Sequence, residues 1–127
     1  MSESKTILIA EDSSVILNLT KKILELQNYN IVTAKNGGEV LKQVEKQKID
    51  AILMDLNIPV KNGMECTREI RSNANPDIAN IPIIAVTGNA NNYTMEDFKE
   101  VGINEYLPKP LDFDMLVQTV KKHTGEL

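Results

Sequence analysis

The chain has 127 residues, 42% of them hydrophobic and 25% charged, which suits one globular domain spanning residues 1–127. Its net charge of −4 argues against a nucleic-acid-binding surface, and its polar N-terminus and short apolar runs predict neither a signal peptide nor a membrane-spanning helix. The single cysteine, Cys66, cannot form an intrachain disulfide, which suits a cytoplasmic protein. We expect Cys66 to behave as a small, partly buried hydrophobic residue.

The first part of the chain alternates short apolar runs with amphipathic segments. Residues 5–10 are predicted as a strand that ends at Glu11-Asp12, and Ser13 or Ser14 can cap the helix that follows. A short second strand over residues 31–34, at an edge of the sheet, precedes a second helix that Asn36 opens. The helical spacing predicts two buried stripes, one made of Ile16, Leu19, Thr20, Ile23 and Leu26 and the other of Val40, Leu41 and Val44.

A third apolar run, residues 49–55, ends abruptly at Asp55, and Pro59 and Gly63 then break the chain. An apolar run of this length between breakers is typical of a strand buried on both faces, as in parallel sheets. A short third helix is marked by Met64, Thr67 and Ile70. The polar segment 72–80, which contains an Asn-Pro pair, is predicted to be a loop.

The last part of the chain continues the alternation. Residues 81–86 are predicted as a fourth strand that ends at Thr87-Gly88, and residues 91–101 as a weakly amphipathic helix that Gly102 stops. Residues 103–107 form a fifth strand before Lys109-Pro110. The apolar positions of these last two helices are Met95, Phe98 and Val101, then Phe113, Leu116, Val117 and Val120. His123 falls in the last turn of the fifth helix, where a positive charge suits the helix dipole.

Five consecutive strand–helix units predict an α/β fold with a parallel sheet and helices on both faces. Right-handed crossovers leave few topologies, and the natural one for five units is the flavodoxin-like doubly wound (βα)5 sandwich of three layers, with strand order 2-1-3-4-5. Ligands of such sheets bind at the carboxyl ends of the strands, so the residues that follow each strand are the candidates for function.

Acids, a hydroxyl and a lysine follow four of the predicted strands and should meet at one edge of the sheet. They are Glu11-Asp12, Asp55, Thr87 and Lys109. Carboxylates this close repel one another unless cations offset their charge, and Lys109 supplies only one positive charge. Oxygen ligands favour Mg²⁺ (or Mn²⁺) over zinc, so the pattern predicts a divalent cation site.

This combination resembles the receiver domains of two-component response regulators over essentially the whole chain. The resemblance rests on Glu11-Asp12, on Asp55 in LMDLNIPVKNG, on Thr87-Gly88 after IIAV and on Lys109-Pro110 after the fifth strand. It implies that Asp55 is the phosphoacceptor, with Thr87 and Lys109 acting on the phosphoryl group. It also implies a cis peptide bond between Lys109 and Pro110.

The resemblance further implies the ligands of the cation and the switch. Asp12, Asp55 and the backbone carbonyl of Asn57 would hold Mg²⁺. Glu11 would act through water, because its side chain is longer than the Asp of many family members. Tyr106 matches the family's switch aromatic and would respond together with Thr87.

The implied partners are a sensor histidine kinase or a histidine phosphotransfer protein as donor, and a protein effector that contacts the fourth helix, fifth strand and fifth helix. Neither a nucleic acid nor a membrane is an expected direct partner. The domain would catalyse only its own phosphorylation and dephosphorylation, with Asn57 and Asn89 tuning the phosphate lifetime. It would be a stand-alone receiver or a domain cut from a hybrid kinase or longer regulator.

The sequence leaves three alternatives to a phosphoaccepting receiver. An aspartate-nucleophile phosphatase of the haloacid dehalogenase type needs a second Asp as general acid where this chain has Asn57. A flavodoxin-type cofactor module needs a Ser/Thr/Gly-rich phosphate loop where this chain has Glu11-Asp12, which would repel phosphate. A receiver that serves as a phosphorylation-independent interaction domain remains the third alternative.

Overall fold

A computed structural model describes residues 4–88 and 93–126. Within these residues, strands and helices alternate along the chain with one extra short helix before the fourth strand. The elements are β1 Thr6–Ala10, α1 Ser14–Glu25, β2 Asn30–Ala34, α2 Gly37–Lys46, β3 Ala51–Asp55, α3 Gly63–Arg71, α4 Pro76–Ala79, β4 Ile83–Thr87, α5 Met95–Val101, β5 Glu105–Pro108 and α6 Phe113–Thr124.

The five strands form one parallel sheet in the order β2-β1-β3-β4-β5, which confirms the predicted topology. Ala10 pairs with Met54, and Asp55 pairs with Val86 on the next strand. Since every strand runs the same way, the residues that follow β1, β3, β4 and β5 all emerge at one edge of the sheet. The flavodoxin-like α/β prediction is correct.

Helices cover both faces of the sheet, giving three layers with a hydrophobic cluster between each pair. Alternate strand residues such as Leu8 and Ile52 join α2, α3 and α5 in one cluster, while their neighbours Ile9 and Leu53 join α1 and α6 in the other. All residues of β3 and β4 are buried. Burial of each Ile or Leu side chain contributes about 1.5–3 kcal/mol, so these two strands anchor the sheet.

Polar caps set the starts of the helices at the carboxyl edge of the sheet. Each cap side chain accepts a hydrogen bond from a backbone N–H of the first helical turn, as expected for Ser, Asn, Thr and Asp at this position. The capping residues of α1, α2, α3, α5 and α6 are Ser13, Asn36, Asn62, Thr94 and Asp112. At the other end of α5, Gly102 adopts the left-handed conformation and stops the helix, as predicted.

The predicted buried stripe of α1 is wrong in its phase. The buried residues are Leu17, Thr20 and Leu24, whereas Leu19 is 47% exposed and Leu26 is 81% exposed. Ile16 is also exposed, and Ile23 is half-buried. Apolar residues lie on several sides of this helix, so two different stripes have helical spacing, and contact with the sheet selects one of them.

Two further boundaries differ from the prediction. The segment 72–80 is not all loop, because Asn75 caps a single helical turn and Pro76 occupies its first position, where proline needs no N–H partner. Helix α5 begins at Met95, a residue of the predicted apolar stripe that is 58% exposed. Asn91 and Asn92, placed at the start of that helix by sequence, lie outside the described residues.

Other predictions for single residues and helices have clear outcomes. Met64, Thr67 and Ile70 form the buried stripe of α3, as predicted, and Cys66 is fully buried beside them. Val40 and Val44 are buried in α2, and Leu41 is half-buried. In the part of the chain that the structure describes, no helix is long and apolar enough to cross a bilayer.

Candidate functional site

Three acidic side chains converge at the carboxyl edge of the sheet. Glu11 directly follows β1, and its N–H donates to the carbonyl of Ala34 at 3.0 Å, which continues the pairing of β1 with β2. Glu11 and Asp55 are 5% and 3% exposed, while Asp12 is exposed to solvent. One carboxylate oxygen from each acid lies within 4.8 Å of the others. The predicted convergence of these three acids is therefore present.

Lys109 reaches the same cluster from β5. Its backbone N–H donates to the carbonyl of Thr87 at 3.0 Å, so the chain continues beside β4 past the end of the strand. Its Nζ lies 2.9 Å from Oδ2 of Asp55 and 3.8 Å from Oε1 of Glu11. The Lys109-Pro110 peptide bond is cis, as predicted.

The electrostatics of the site reflect this crowding. Burial raises the pKa of Glu11; a hydrogen bond from the Ser13 N–H opposes the shift, and the charge of Asp55 adds to it. For Lys109, burial acts to lower the pKa, but the hydrogen bond to Asp55 and the charges of Asp55 and Glu11 outweigh it and leave the pKa raised. Lys109 is therefore charged at neutral pH. It contacts two of three neighbouring acids, so carboxylates outnumber the ammonium that offsets them.

This donor set fits a hard divalent cation. All three side chains offer carboxylate oxygen, the ligand type that Mg²⁺ prefers. Glu11 already uses Oε2 to accept the Ser13 N–H, and its Oε1 faces Lys109. Glu11 is therefore less available for direct coordination than Asp12, which is exposed. The three acids of the predicted Mg²⁺ site thus lie where a cation would relieve carboxylate repulsion.

Asn57, Thr87 and Gly88 lie around the acidic cluster. Asn57 is exposed, and its backbone N–H donates to Oδ1 of Asp55 at 3.0 Å. Thr87 is the last residue of β4 and is 1% exposed. A Cβ at Gly88 would lie 3.7 Å from Cβ of Lys109, so the chain after β4 runs along the lysine stem. Asn89, the other residue predicted to tune the site, lies outside the described residues.

Tyr106 joins β5 to α5 through aromatic contacts. The ring is half-buried and stacks on Phe98, with centroids 5.4 Å apart and an interplanar angle of 23°. Phe98 in turn contacts Tyr93, with centroids 5.8 Å apart. The predicted switch residue therefore packs against a helix that begins at the carboxyl edge of the sheet.

The loop after Asp55 contains a feature that sequence reasoning missed. Val60 has a φ of 71°, and the N–H of Lys61 donates to the carbonyl of Pro59 at 2.9 Å, which defines a γ-turn. The left-handed region is unfavourable for a β-branched residue, and the Val60 side chain is 82% exposed. The N–H of Gly37 also donates to the Pro59 carbonyl at 3.1 Å and ties this loop to α2. Nothing in the local sequence signals a strained valine.

A second missed feature is a polar contact between β5 and α6. Glu105 accepts hydrogen bonds from Nζ of Lys122 and from Nε2 of His123, both at 3.1 Å. The sequence placed His123 in the last helical turn, but the partner on β5 is separated from it by 18 residues. Only the fold brings the two together.

Comparison with known proteins agrees with the fold and identifies the family. The sequence matches the family model of the response regulator receiver domain over residues 7–121. It is 40% identical over 116 residues to the CAI-1 autoinducer sensor kinase/phosphatase CqsS of Vibrio cholerae, covering 91% of this chain but only 17% of that protein. It is 29% identical over 122 residues to the polar-differentiation response regulator DivK of Brucella anthropi, covering 96% and 98%.

Solved structures give the same picture. The receiver domain of a sensor histidine kinase from Pseudomonas aeruginosa, with a magnesium ion coordinated in its active site cleft, has a TM-score of 0.86 and 34% identity, covering 96% of this chain and 98% of that one. The chemotaxis response regulator CheY4 of Vibrio cholerae has a TM-score of 0.86 and 27% identity, covering 94% and 98%. This chain therefore belongs to the response regulator receiver domain family of two-component signalling.

Proposed function

We propose that this chain is a phosphoacceptor in two-component or phosphorelay signalling. Asp55 takes a phosphoryl group from a phosphohistidine on a sensor histidine kinase or a histidine phosphotransfer protein, and the surface formed by α5, β5 and α6, here called the signalling face, then changes and controls a protein effector. The observation that carries the proposal is the contact of the buried Asp55 carboxylate with Lys109 at 2.9 Å, inside a cluster of three acids.

The proposed reaction of Asp55 is nucleophilic attack by a carboxylate oxygen on phosphorus. The P–O bond forms as the P–N bond of the donor breaks, and the electron pair of that bond goes to the imidazole nitrogen, which takes up a proton. Lys109 already contacts Oδ2 of Asp55, so its positive charge is in place for the phosphoryl oxygens. Phosphoryl transfer depends mainly on positioning and charge, and this arrangement supplies both.

The proposed cofactor is Mg²⁺ (or Mn²⁺), held by Asp12, Asp55 and the backbone carbonyl of Asn57, with Glu11 acting through water. When bound, the ion neutralises charge on the acids and on the phosphoryl oxygens. Support comes from the three acids, whose carboxylate oxygens lie within 4.8 Å of one another. The similar receiver domain of the Pseudomonas kinase has a magnesium ion coordinated in its active site cleft.

The proposed readout links the site to the signalling face. The Thr87 hydroxyl donates to a phosphoryl oxygen, and Tyr106 adjusts its packing against Phe98 as the end of β4 moves. The 5.4 Å stacking of Tyr106 on Phe98 supports this route, because it joins β5 to α5. The change is a shift between two packings, and its size is limited by the contacts that the phosphoryl group adds.

Two consequences complete the proposal. The domain acts on no external substrate beyond its phosphodonor, so its only catalysis is its own phosphorylation and dephosphorylation. Its partners are the phosphodonor and a protein effector in the cytoplasm, and the family relationship to receivers of sensor kinases supports the first of these.

The test is incubation with acetyl phosphate and Mg²⁺ followed by intact-mass measurement. The wild type and the control Asp114→Asn, which changes an exposed acid on α6, should each gain one phosphoryl group, about 80 Da. Asp55→Asn should gain none. A chelator should stop the gain without unfolding the domain, as followed by circular dichroism.

Two of the alternative functions predict different results in the same experiment. Repeated turnover of a phosphate ester with no retained phosphoryl group would support a phosphatase and contradict the proposal. No mass gain in folded wild type would support a phosphorylation-independent interaction domain. Melting of the domain by the chelator would assign a structural role to the metal.

A further inference from the structure

The C-terminal end of α3 carries an arginine that joins this helix to two other parts of the chain. The Arg71 guanidinium donates five hydrogen bonds, all to neutral oxygens and all 2.7–2.9 Å long. The acceptors are the carbonyls of Ala79, Ile81 and Gly102, the last of which accepts two of the bonds, and Oδ1 of Asn104. Arg71 thus connects α3 to the segment before β4 and to the segment between α5 and β5.

Gly102, at the end of α5, is required at its position for two reasons. Its φ of 96° is a conformation that other residues avoid, and a Cβ at this position would lie 2.7 Å from Nε of Arg71. Asn104 reinforces the connection, because its Oδ1 also accepts the N–H of Ile83 at 2.8 Å, and its own N–H donates to the Ile83 carbonyl at 2.9 Å. The Gly102 end of α5 is therefore hydrogen-bonded to α3 and β4.

The opposite end of α5 is held differently. Thr94 and Asp97 form a capping box, in which each side chain accepts the backbone N–H of the other, so these bonds stay within the helix. Met95 is 58% exposed. Further along, Phe98 contacts Tyr93 and Tyr106 through their rings. Ring contacts can shift without breaking a hydrogen bond, whereas a displacement of the Gly102 end would break several partly buried hydrogen bonds at once.

We propose that Arg71 is a positioning residue that fixes the Gly102 end of α5, so that the phosphoryl-dependent change of the signalling face is a displacement of the Thr94 end of this helix about a stationary pivot. This inference rests on the proposed function and specifies how the phosphoryl group is read out. A guanidinium is needed, because lysine presents one ammonium group and cannot reach four acceptors in this planar arrangement.

The first test needs only the wild type. Amide hydrogen exchange is measured by NMR or mass spectrometry with and without acetyl phosphate and Mg²⁺, after intact mass has shown the phosphoryl group. Exchange rates at residues 94–98 should change by about tenfold, and those at residues 101–105 by less than about twofold. Equal changes in both segments would overturn the pivot.

The second test compares Arg71→Lys with the control Arg68→Lys, which changes an exposed arginine on the same helix. In Arg71→Lys, the phosphoryl-dependent change in exchange rate should extend to residues 101–105. In Arg68→Lys, the change should stay confined to residues 94–98, as in the wild type. A purely structural role would raise exchange in Arg71→Lys equally with and without the phosphoryl group, and that result would overturn the inference. If Arg71→Lys does not fold, the wild-type comparison decides.

Failure of the proposed function is distinguishable from failure of this inference. No mass gain on wild type would overturn both. A mass gain on Asp55 together with uniform exchange changes along α5 and the start of β5 would overturn the pivot alone.

Discussion

The ammonium nitrogen of Lys109 lies 2.9 Å from Oδ2 of Asp55, although the two residues are 54 positions apart in the chain. The parallel sheet makes this contact, because β3 ends at Asp55 and β5 ends immediately before Lys109, with only β4 between them. The same edge brings Glu11 and Asp12 from β1, so that position in the fold, rather than proximity in sequence, assembles the site.

Replacing Lys109 by Ala should slow phosphorylation without preventing it, because the variant loses a cation and keeps the nucleophile. The rate of mass gain from acetyl phosphate should fall about 10²-fold, a typical loss for one charge-stabilising donor. Signalling output, the control of the protein effector, should fall as well. The matched control is Lys35→Ala, since Lys35 is an exposed lysine after β2 that bonds to Ser14 at 2.9 Å. Wild-type rate and output in Lys109→Ala would rule out the assigned role.

Tyrosine fluorescence should report the switch directly. The chain has three tyrosines and no tryptophan, so the signal comes from Tyr29, Tyr93 and Tyr106. Phosphorylation should change the emission intensity, because the environment of Tyr106 against Phe98 changes. The change should disappear in Tyr106→Phe and persist in Tyr29→Phe, where the altered ring lies beside Thr124, away from the site. A full-size change in Tyr106→Phe would show that this residue is not the reporter of the switch.

The contact between Glu105 and α6 should make stability depend on pH. Burial acts to raise the pKa of Glu105, but the hydrogen bonds from Lys122 and His123 outweigh it and leave the pKa below its usual value of 4.5. The native state therefore holds the proton less tightly than the unfolded state, so the stabilisation is present above about pH 4.5 and is lost as pH falls through the lower native pKa.

The measurement is chemical denaturation of wild type and Glu105→Gln across this pH range. Because the carboxylate is 31% exposed, solvent screens the interaction. The difference in the free energy of unfolding between wild type and Glu105→Gln should therefore be about 0.5 kcal/mol at pH 7. It should approach zero at acidic pH. Glu100→Gln, which changes an exposed acid on α5, should show no such dependence. A pH-independent difference for Glu105→Gln would contradict the ionic explanation.

Relief of backbone strain should stabilise the loop after Asp55. Val60 holds a φ of 71°, a conformation that costs a β-branched residue about 1–3 kcal/mol and costs glycine little. Because glycine also increases the entropy of the unfolded chain, Val60→Gly should raise the free energy of unfolding by a net of about 0.5–1 kcal/mol. Val60→Ala is the control, since alanine retains a Cβ and most of the strain. A loss of stability in Val60→Gly would mean that packing of the valine outweighs the strain.

The sequence was sufficient for the parts of the molecule that depend on pattern. Short apolar runs ending at Glu11, Asp55 and Thr87 locate the strand ends, and a parallel sheet then brings those residues together. The stripe of α1 could not be derived in this way, because Leu17 and Leu19 both belong to helical repeats and only contact with the sheet buries one of them. Asn75-Pro76 marks a loop and a helix start equally well.

Other features depend on contacts between distant residues. The hydrogen bonds of Arg71 reach as far as Asn104, 33 positions away, and nothing near Arg71 in sequence indicates them. The strained conformation of Val60 follows from the γ-turn after Pro59 and from its attachment to α2, not from any preference of valine. Such features arise from tertiary structure and cannot be derived from the local sequence.

The most direct test of the central claim is to locate the phosphoryl group chemically. After reaction with acetyl phosphate and Mg²⁺, borohydride reduction converts an aspartyl phosphate to homoserine, and peptide mass spectrometry identifies the modified position. We predict homoserine at position 55 alone. Modification at Glu11, at Asp12 or outside the acidic cluster, with Asp55 unchanged, would contradict the assignment of Asp55 as phosphoacceptor.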